Sequence, residues 1–258
     1  MLLEVEHLSK TFGGVRAAQD CSFSVDAHEI VGLIGPNGAG KSTLINLVSG
    51  FESASQGIVR FDGVDVTKKP AHRRSSLGLI RTFQMARIWD RLTLLENLLV
   101  AASTPSREVV WRQFLTISRL RRAEQEDRVR AREVLAEFDL LSLKDMLAGQ
   151  LSGGQRRLLE FARILMARPR LVLLDEPSAS LSPVMSDRIG EGVKGLSRAG
   201  IAVLLIEHDL RLVEATCTRI LCMAGGKLIA EGSMNELRDN EHVVRAYLGA
   251  AAAAVRQR

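Results

Sequence analysis

Three short apolar runs punctuate the chain: Ile30–Ile34 (broken only by Gly32), Leu171–Leu174 and Ile201–Ile206. Runs this short and this continuous predict strands buried on both faces, as in a parallel sheet. Leu2–Phe12 and Cys21–Val25 have strand character of another kind, with a turn signal at Phe12-Gly13-Gly14 between them. They predict an antiparallel layer beside the main sheet. Gly57–Phe61 with its Asp62-Gly63 turn, Leu79–Phe83, and a hairpin of Ile220–Met223 and Lys227–Ile229 around Gly225-Gly226 complete the strand set.

Helical spacing alternates with these runs. Leu44, Ile45, Leu47 and Val48 mark one helix, Leu94, Leu95, Leu98 and Leu99 another within Thr93–Ala102. A third opens at Leu151, carries Leu158, Leu159, Phe161, Ala162, Ile164 and Leu165 on one side, and stops before Pro169. Val184–Arg198, closed by Gly200, and Glu241–Leu248 follow. The basic connection Lys68–Ser76 predicts a short exposed helix. Between Met85 and Gln150 the strand–helix alternation stops: Arg107–Leu120 is amphipathic, Arg119–Arg132 reads as a solvated helix face, and Val134, Leu135, Phe138 and Leu141 form an apolar stripe. The expected organisation is an α/β core with an antiparallel β layer, residues 1–84 and 168–248. A helical insertion, 85–167, interrupts it, and a frayed tail, 249–258, ends it.

Composition narrows the function classes. With 46% hydrophobic residues the chain can build a real core, and 4% aromatics argue against stacking on single-stranded nucleic acid. The net charge of +5 is mild. Cys21, Cys217 and Cys222 lack metal-binding spacing and read as buried thiols in a reducing compartment. No stretch has the length of a membrane span and the N-terminus shows no signal-peptide pattern, so a soluble, cytoplasmic chain is expected.

The chemistry starts between the first apolar run and the first helix. Gly35, Pro36, Asn37, Gly38, Ala39, Gly40, Lys41, Ser42 and Thr43 fit G-x-x-x-x-G-K-[ST], the phosphate-binding loop. Strand, glycine turn and helix in that order aim backbone N–H groups and a helix N-terminus at one spot, which attracts phosphate. Gly38 and Gly40 are expected where a Cβ would collide. Lys41 should reach the β- and γ-phosphates and Ser42 offer its hydroxyl to Mg²⁺.

The run Leu171–Leu174 ends in Asp175-Glu176-Pro177. An apolar strand ending in two acids suits the second half of a nucleotide site, with Asp175 on Mg²⁺ and Glu176 accepting a proton from the attacking water. Ser152, Gly153, Gly154 and Gln155 at a helix start offer a hydroxyl, unencumbered N–H groups and a helix dipole: a second anion site, or a plain helix cap.

Phosphate loop, LSGGQ at 151–155, LVLLDEP at 171–177 and a later strand followed by His208 resemble, in order and spacing, the ATP-binding cassette proteins. The resemblance runs from Leu2 to about Leu248 and implies a phosphate-loop NTPase (RecA-like) core with ATP and Mg²⁺ as ligands. It implies that Phe12 stacks on adenine, Gln84 contacts Mg²⁺ and water, and His208 contacts the γ-phosphate. It also implies that two cassettes pack head to tail, the signature of one completing the phosphate site of the other. One loop and one signature therefore call for a second cassette, identical or related.

Arg81–Gln84, Leu92–Leu98, the helical insertion, Ala179–Pro183 and Arg245–Gly249 are similar to the ATPases of branched-chain amino acid importers. That likeness implies multi-span membrane subunits, one of whose helices docks near Arg87, Ile88 and Trp89. It also implies a separate substrate-binding protein, residence at the cytoplasmic face of the membrane, and no nucleic acid. Urea or amide importers and a lipopolysaccharide exporter share much of the pattern. A soluble cassette ATPase acting on DNA or ribosomes is the reading from another class. Three positions depart from the group: Ser182 replaces Asp or Asn, Ser180 replaces Gly, and His28 replaces Gly.

Overall fold

The structure, a computed structural model, describes residues 1–82, 88–102, 117–179 and 181–247, without the side chains of 117–121. Its strands in chain order are β1 (Leu3–Phe12), β2 (Val15–Val25), β3 (Ile30–Ile34), β4 (Gln56–Phe61) and β5 (Val64–Asp65), then β6 (Leu79–Arg81), β7 (Leu171–Asp175), β8 (Ala202–Ile206), β9 (Arg219–Ala224) and β10 (Lys227–Gly232). The helices are α1 (Lys41–Ser49), α2 (Ala71–Ser76), α3 (Leu94–Ala101), α4 (Ile117–Glu137), α5 (Gly153–Ala167), α6 (Pro183–Arg198), α7 (Leu210–Thr216) and α8 (Met234–Asp239). Residues 241–247 are helical as well.

The continuous apolar runs became the centre of a sheet ordered β10-β9-β3-β8-β7-β6, parallel except for β10. Every residue of β3, β7 and β8 is buried, which is why none shows an alternating pattern. β2-β1-β4-β5 form the expected antiparallel sheet. One apolar core joins Leu3, Val5 and Phe61 of that layer to Leu44 and Leu47 of α1 and to Leu173 and Leu204 of the parallel sheet.

The chain divides into two compact units. The first comprises Met1–Gln84, Arg170–Ser180 and Val193–Arg258, the second Met85–Pro169 and Leu181–Gly192. The expected insertion, 85–167, left out Leu181–Gly192. The start of α6 joins the helical unit through Gly192, where an added Cβ would stand 3.3 Å from the Phe138 ring. Within that unit Val134, Leu135 and Phe138 are buried as expected, but Leu140 takes the next place and Leu141 is exposed. The left-handed Asp139 rotates the chain between them.

α2 departs from the expected exposed helix at one residue. Arg74 is 2% exposed, and its guanidinium donates to the carbonyls of Leu47 and Val48 at the end of α1, and to those of Thr67 and Lys69. It satisfies carbonyls that a helix C-terminus leaves open, with a cation where the dipole favours one. Burial pulls its pKa down to about 10. α7 and α8 had no counterpart in the sequence reading. Asp209 caps α7, its carboxylate accepting from Arg211 N at 3.0 Å, and a Ser233/Glu236 capping box starts α8.

Candidate nucleotide site

β3 delivers the chain edge-on to Gly35, and α1 carries it away from Gly40. The loop between them borders a cleft of about 480 Å³ in the first unit. The need for glycine differs along it. A Cβ on Gly35 would collide with the Met223 carbonyl oxygen and one on Gly40 with that of Ala17. Gly38 has open space around it, and its demand is its φ of +77 alone. So the expected collision holds at Gly40, fails at Gly38, and arises at Gly35 instead. The loop is braced from behind: Gly226 N donates to Ala39 O at 2.9 Å, and Gln19 N to Gly226 O at 2.7 Å.

Lys41 is buried at the head of α1, and its ammonium donates to the carbonyls of Gly35 (2.7 Å) and Pro36 (3.1 Å). Burial lowers its pKa, and the carboxylates of Glu176 and Asp175 oppose that shift. Tyr247, in the helical residues 241–247, packs against the apolar cluster holding Ile34 and Cys222, and bonds the Gly35 backbone. Burial pushes its phenol up to about 12.

β7 and β8 lead Glu176 and His208 to the same cleft, whereas Asp175, the last residue of β7, is not among the residues bordering it. Asp175 Oδ2 accepts from Arg81 Nη2 at 2.9 Å, and Arg81 Nη1 also donates to Asn46 Oδ1 at 2.5 Å. Both Asp175 and Arg81 side chains are mostly buried, the geometry in which an ion pair needs both partners. Glu176 holds φ +47, a left-handed backbone rare for a residue with a Cβ, and its Oε1 lies 2.6 Å from His208 Nε2. Ser42 borders the cleft with Glu176 and His208. The oxygen donors of Ser42 and Asp175 fit Mg²⁺, which takes one or two carboxylates alongside phosphate oxygens.

Other expected site residues fall elsewhere. Phe12 is 44% exposed at the hairpin end, with Lys10 Nζ 4.9 Å from its ring centre, and is not among the residues bordering the cleft. Gln84, Arg87 and Ser180 lie outside the described residues. Ser152 caps α5 in the second unit: its hydroxyl accepts from Gln155 N at 3.3 Å, and Gln155 Oε1 accepts from Ser152 N at 3.0 Å. Gly153 is open, whereas a Cβ on Gly154 would meet Met185 Cε at 2.5 Å. In that unit Trp89 is 53% exposed, its backbone held at both N and O by the buried Asn97 amide.

Sequence reasoning missed the cleft contributions of Val15, Arg16 and Ala17 and of the Gly225-Gly226 turn. It named Arg81 and Tyr247 as marks of a likeness without giving either a partner. No local signal announces these contacts, because each joins segments far apart in the chain.

Residues 18–179 match the family described as ABC transporter. The chain belongs to this family. It is thus an ATP-hydrolysing subunit of an ABC transporter, built on the phosphate-loop α/β fold. Residues 227–253 match a second family, described as branched-chain amino acid ATP-binding cassette transporter. The cassette is 38% identical to the high-affinity branched-chain amino acid transport ATP-binding protein BraF of Pseudomonas aeruginosa, covering 97% of this chain and 98% of that one. It is 36% identical to the lipopolysaccharide export system ATP-binding protein LptB of Haemophilus influenzae, over 96% and 97%. Among solved structures it is similar to the ADP conformation of an ATP-binding cassette of an ABC transporter. That match has a TM-score of 0.80 and 34% identity, over 96% of this chain and 98% of the other. Among the described residues no helix is long and apolar enough to cross a membrane.

Proposed function

We propose that the cassette powers an importer of branched-chain or related amino acids. The observation that carries this reading is the match of residues 227–253 to the family named for such transporters, supported by the likeness to BraF. On this reading two cassettes pair at the cytoplasmic face of the membrane and dock on multi-span subunits that a binding protein supplies. The exposed Trp89, its backbone held by Asn97, suits a docking edge.

In the proposed reaction the N–H groups at the start of α1 and the Lys41 ammonium hold the β- and γ-phosphates. Ser42 and Asp175 would hold Mg²⁺, which would supply neutralising charge to the phosphates. Glu176 accepts the proton of the attacking water. His208 holds Glu176 until the γ-phosphate offers it another partner. Arg81 fixes the Asp175 carboxylate from the other side. Phe12 offers its open ring to adenine. Gln84, between the two units in sequence, reports the nucleotide state. The signature Ser152–Gln155 addresses the nucleotide of the paired cassette, so closure on ATP is a population shift driven by tighter binding to the closed state.

The test is reconstitution with the membrane subunits that bind this chain and with their binding protein. Leucine, isoleucine or valine should raise ATP hydrolysis and enter the vesicles. The likeness to LptB favours a second reading. Stimulation by lipopolysaccharide with indifference to amino acids would select it.

A further inference from the structure

Glu207 follows β8 and is 3% exposed. Its Oε1 accepts from Ser178 N at 2.8 Å, and its Oε2 accepts from His208 N at 3.1 Å. Among the described residues no cation forms an ion pair with it. A buried carboxylate without a cation is costly, and hydrogen bonds from N–H groups offset that cost only where they are well placed. The placement here joins two loops. Ser178 lies two residues beyond Glu176, and His208 is the residue whose ring meets Glu176.

These bonds close a circuit. Glu176 N donates to Ile206 O at 3.0 Å, so the acid is tied to β8 by its backbone. Ser178 N is tied to the same strand end through Glu207 Oε1, and His208 N through Oε2. The His208 ring then returns to Glu176 at 2.6 Å. A strained φ persists only when its surroundings over-determine it, and Glu176 at +47 sits between two of these ties. An apolar residue at 207 would fill the space but leave both loops without their common acceptor.

We propose that Glu207 is a positioning residue for ATP hydrolysis, its two carboxylate oxygens setting the Glu176 and His208 loops in register. This rests on the reading that Glu176 and His208 serve hydrolysis. It adds a residue that is not among those bordering the cleft and acts through Glu176 and His208.

The test uses the purified full-length chain and four variants: Glu207→Ala, Glu207→Gln, His208→Ala and Glu176→Gln. Glu207→Ala should lower kcat about 100-fold, with KM for ATP changed less than about 3-fold. Glu207→Gln keeps one acceptor oxygen and should recover about a tenth of the wild-type kcat, which carries the test should the alanine variant fail to fold. Adding Glu207→Ala to His208→Ala should cost less than about 3-fold more, because both act on one arrangement. Glu207 variants with wild-type kcat beside an inactive Glu176→Gln would overturn this inference alone. So would a loss carried by KM and melting temperature, or a full 100-fold loss on top of His208→Ala. Wild-type hydrolysis in Glu176→Gln would overturn the underlying reading and this one with it.

Discussion

Two helices in this chain begin at glycine-rich loops, and they treat their first donors in opposite ways. α1 has Gly40 at its N-cap and no side-chain cap. The neighbouring Lys41 turns back onto loop carbonyls. The N–H groups of that first turn are left to an anion, while the loop's own stability comes from β9, β2 and the Gly225-Gly226 turn packed behind it. α5 closes on itself. Ser152 and Gln155 exchange hydrogen bonds in a capping box, so this helix start is satisfied without a ligand. A phosphate facing Ser152 has to compete with the serine oxygen for the Gln155 N–H. The difference teaches that within one chain a glycine pattern leaves its donors open to a ligand only where the fold withholds the ordinary cap.

The comparison can be tested from the strongest consequence downward. The proposed reaction lies on the α1 side, so Glu176→Gln should lower hydrolysis about 100- to 10,000-fold while MgATP binding persists. Near-normal turnover would remove the acid from that side. Lys41→Ala should weaken ATP binding about 100-fold, roughly 2.7 kcal/mol, and an unchanged titration would show that the cradle grips without its cation.

A matched glycine pair sharpens the contrast. Gly40→Ala forces a collision with Ala17 O at a φ of +102 and should cost about 2–3 kcal/mol of stability or abolish nucleotide binding. Gly153→Ala enters open space and should leave the melting temperature within about 2 °C. Equal effects at the two positions would erase the distinction. Ser152→Ala should lower stability by about 1 kcal/mol through the lost cap, measured by denaturant midpoint; no loss would mean the capping box is not formed in solution. The smallest effect is expected at α6, where Ser182 Oγ accepts from Met185 N at 3.4 Å. Serine and asparagine cap equally well, so Ser182→Asn should shift stability by less than about 0.5 kcal/mol in the same denaturation experiment.

How much could be read in advance varied with the range of the signal. β3, α1, β7 and β8 were legible because each is a contiguous run with a single period. α8 was legible in principle: Ser233 and Glu236 have the capping-box spacing, but the helix has only six residues. α7 has seven residues, with Leu212 and Val213 its buried apolar ones, too few for periodicity to register. Arg74 looked like one more solvated charge in a basic stretch. Its burial depends on α1 ending beside it, and Leu47 lies 27 residues away. Arg81 and Asp175 are separated by 94 residues, and nothing near either one names the other.

The sequence by itself determined the phosphate-loop motif, the order of the longer strands and helices around it, and the strand-end acids. Those depend on neighbours within a few residues, where backbone geometry and burial pattern leave a local record. The tertiary structure decided which glycine is irreplaceable, where the buried charges find partners, and how Glu176 and His208 meet. A collision or a hydrogen bond needs the other atom in place, and here that atom arrives from a distant strand or turn. The energetic cost of a buried charge or a missing Cβ is therefore a property of the pair, which no single stretch of chain contains.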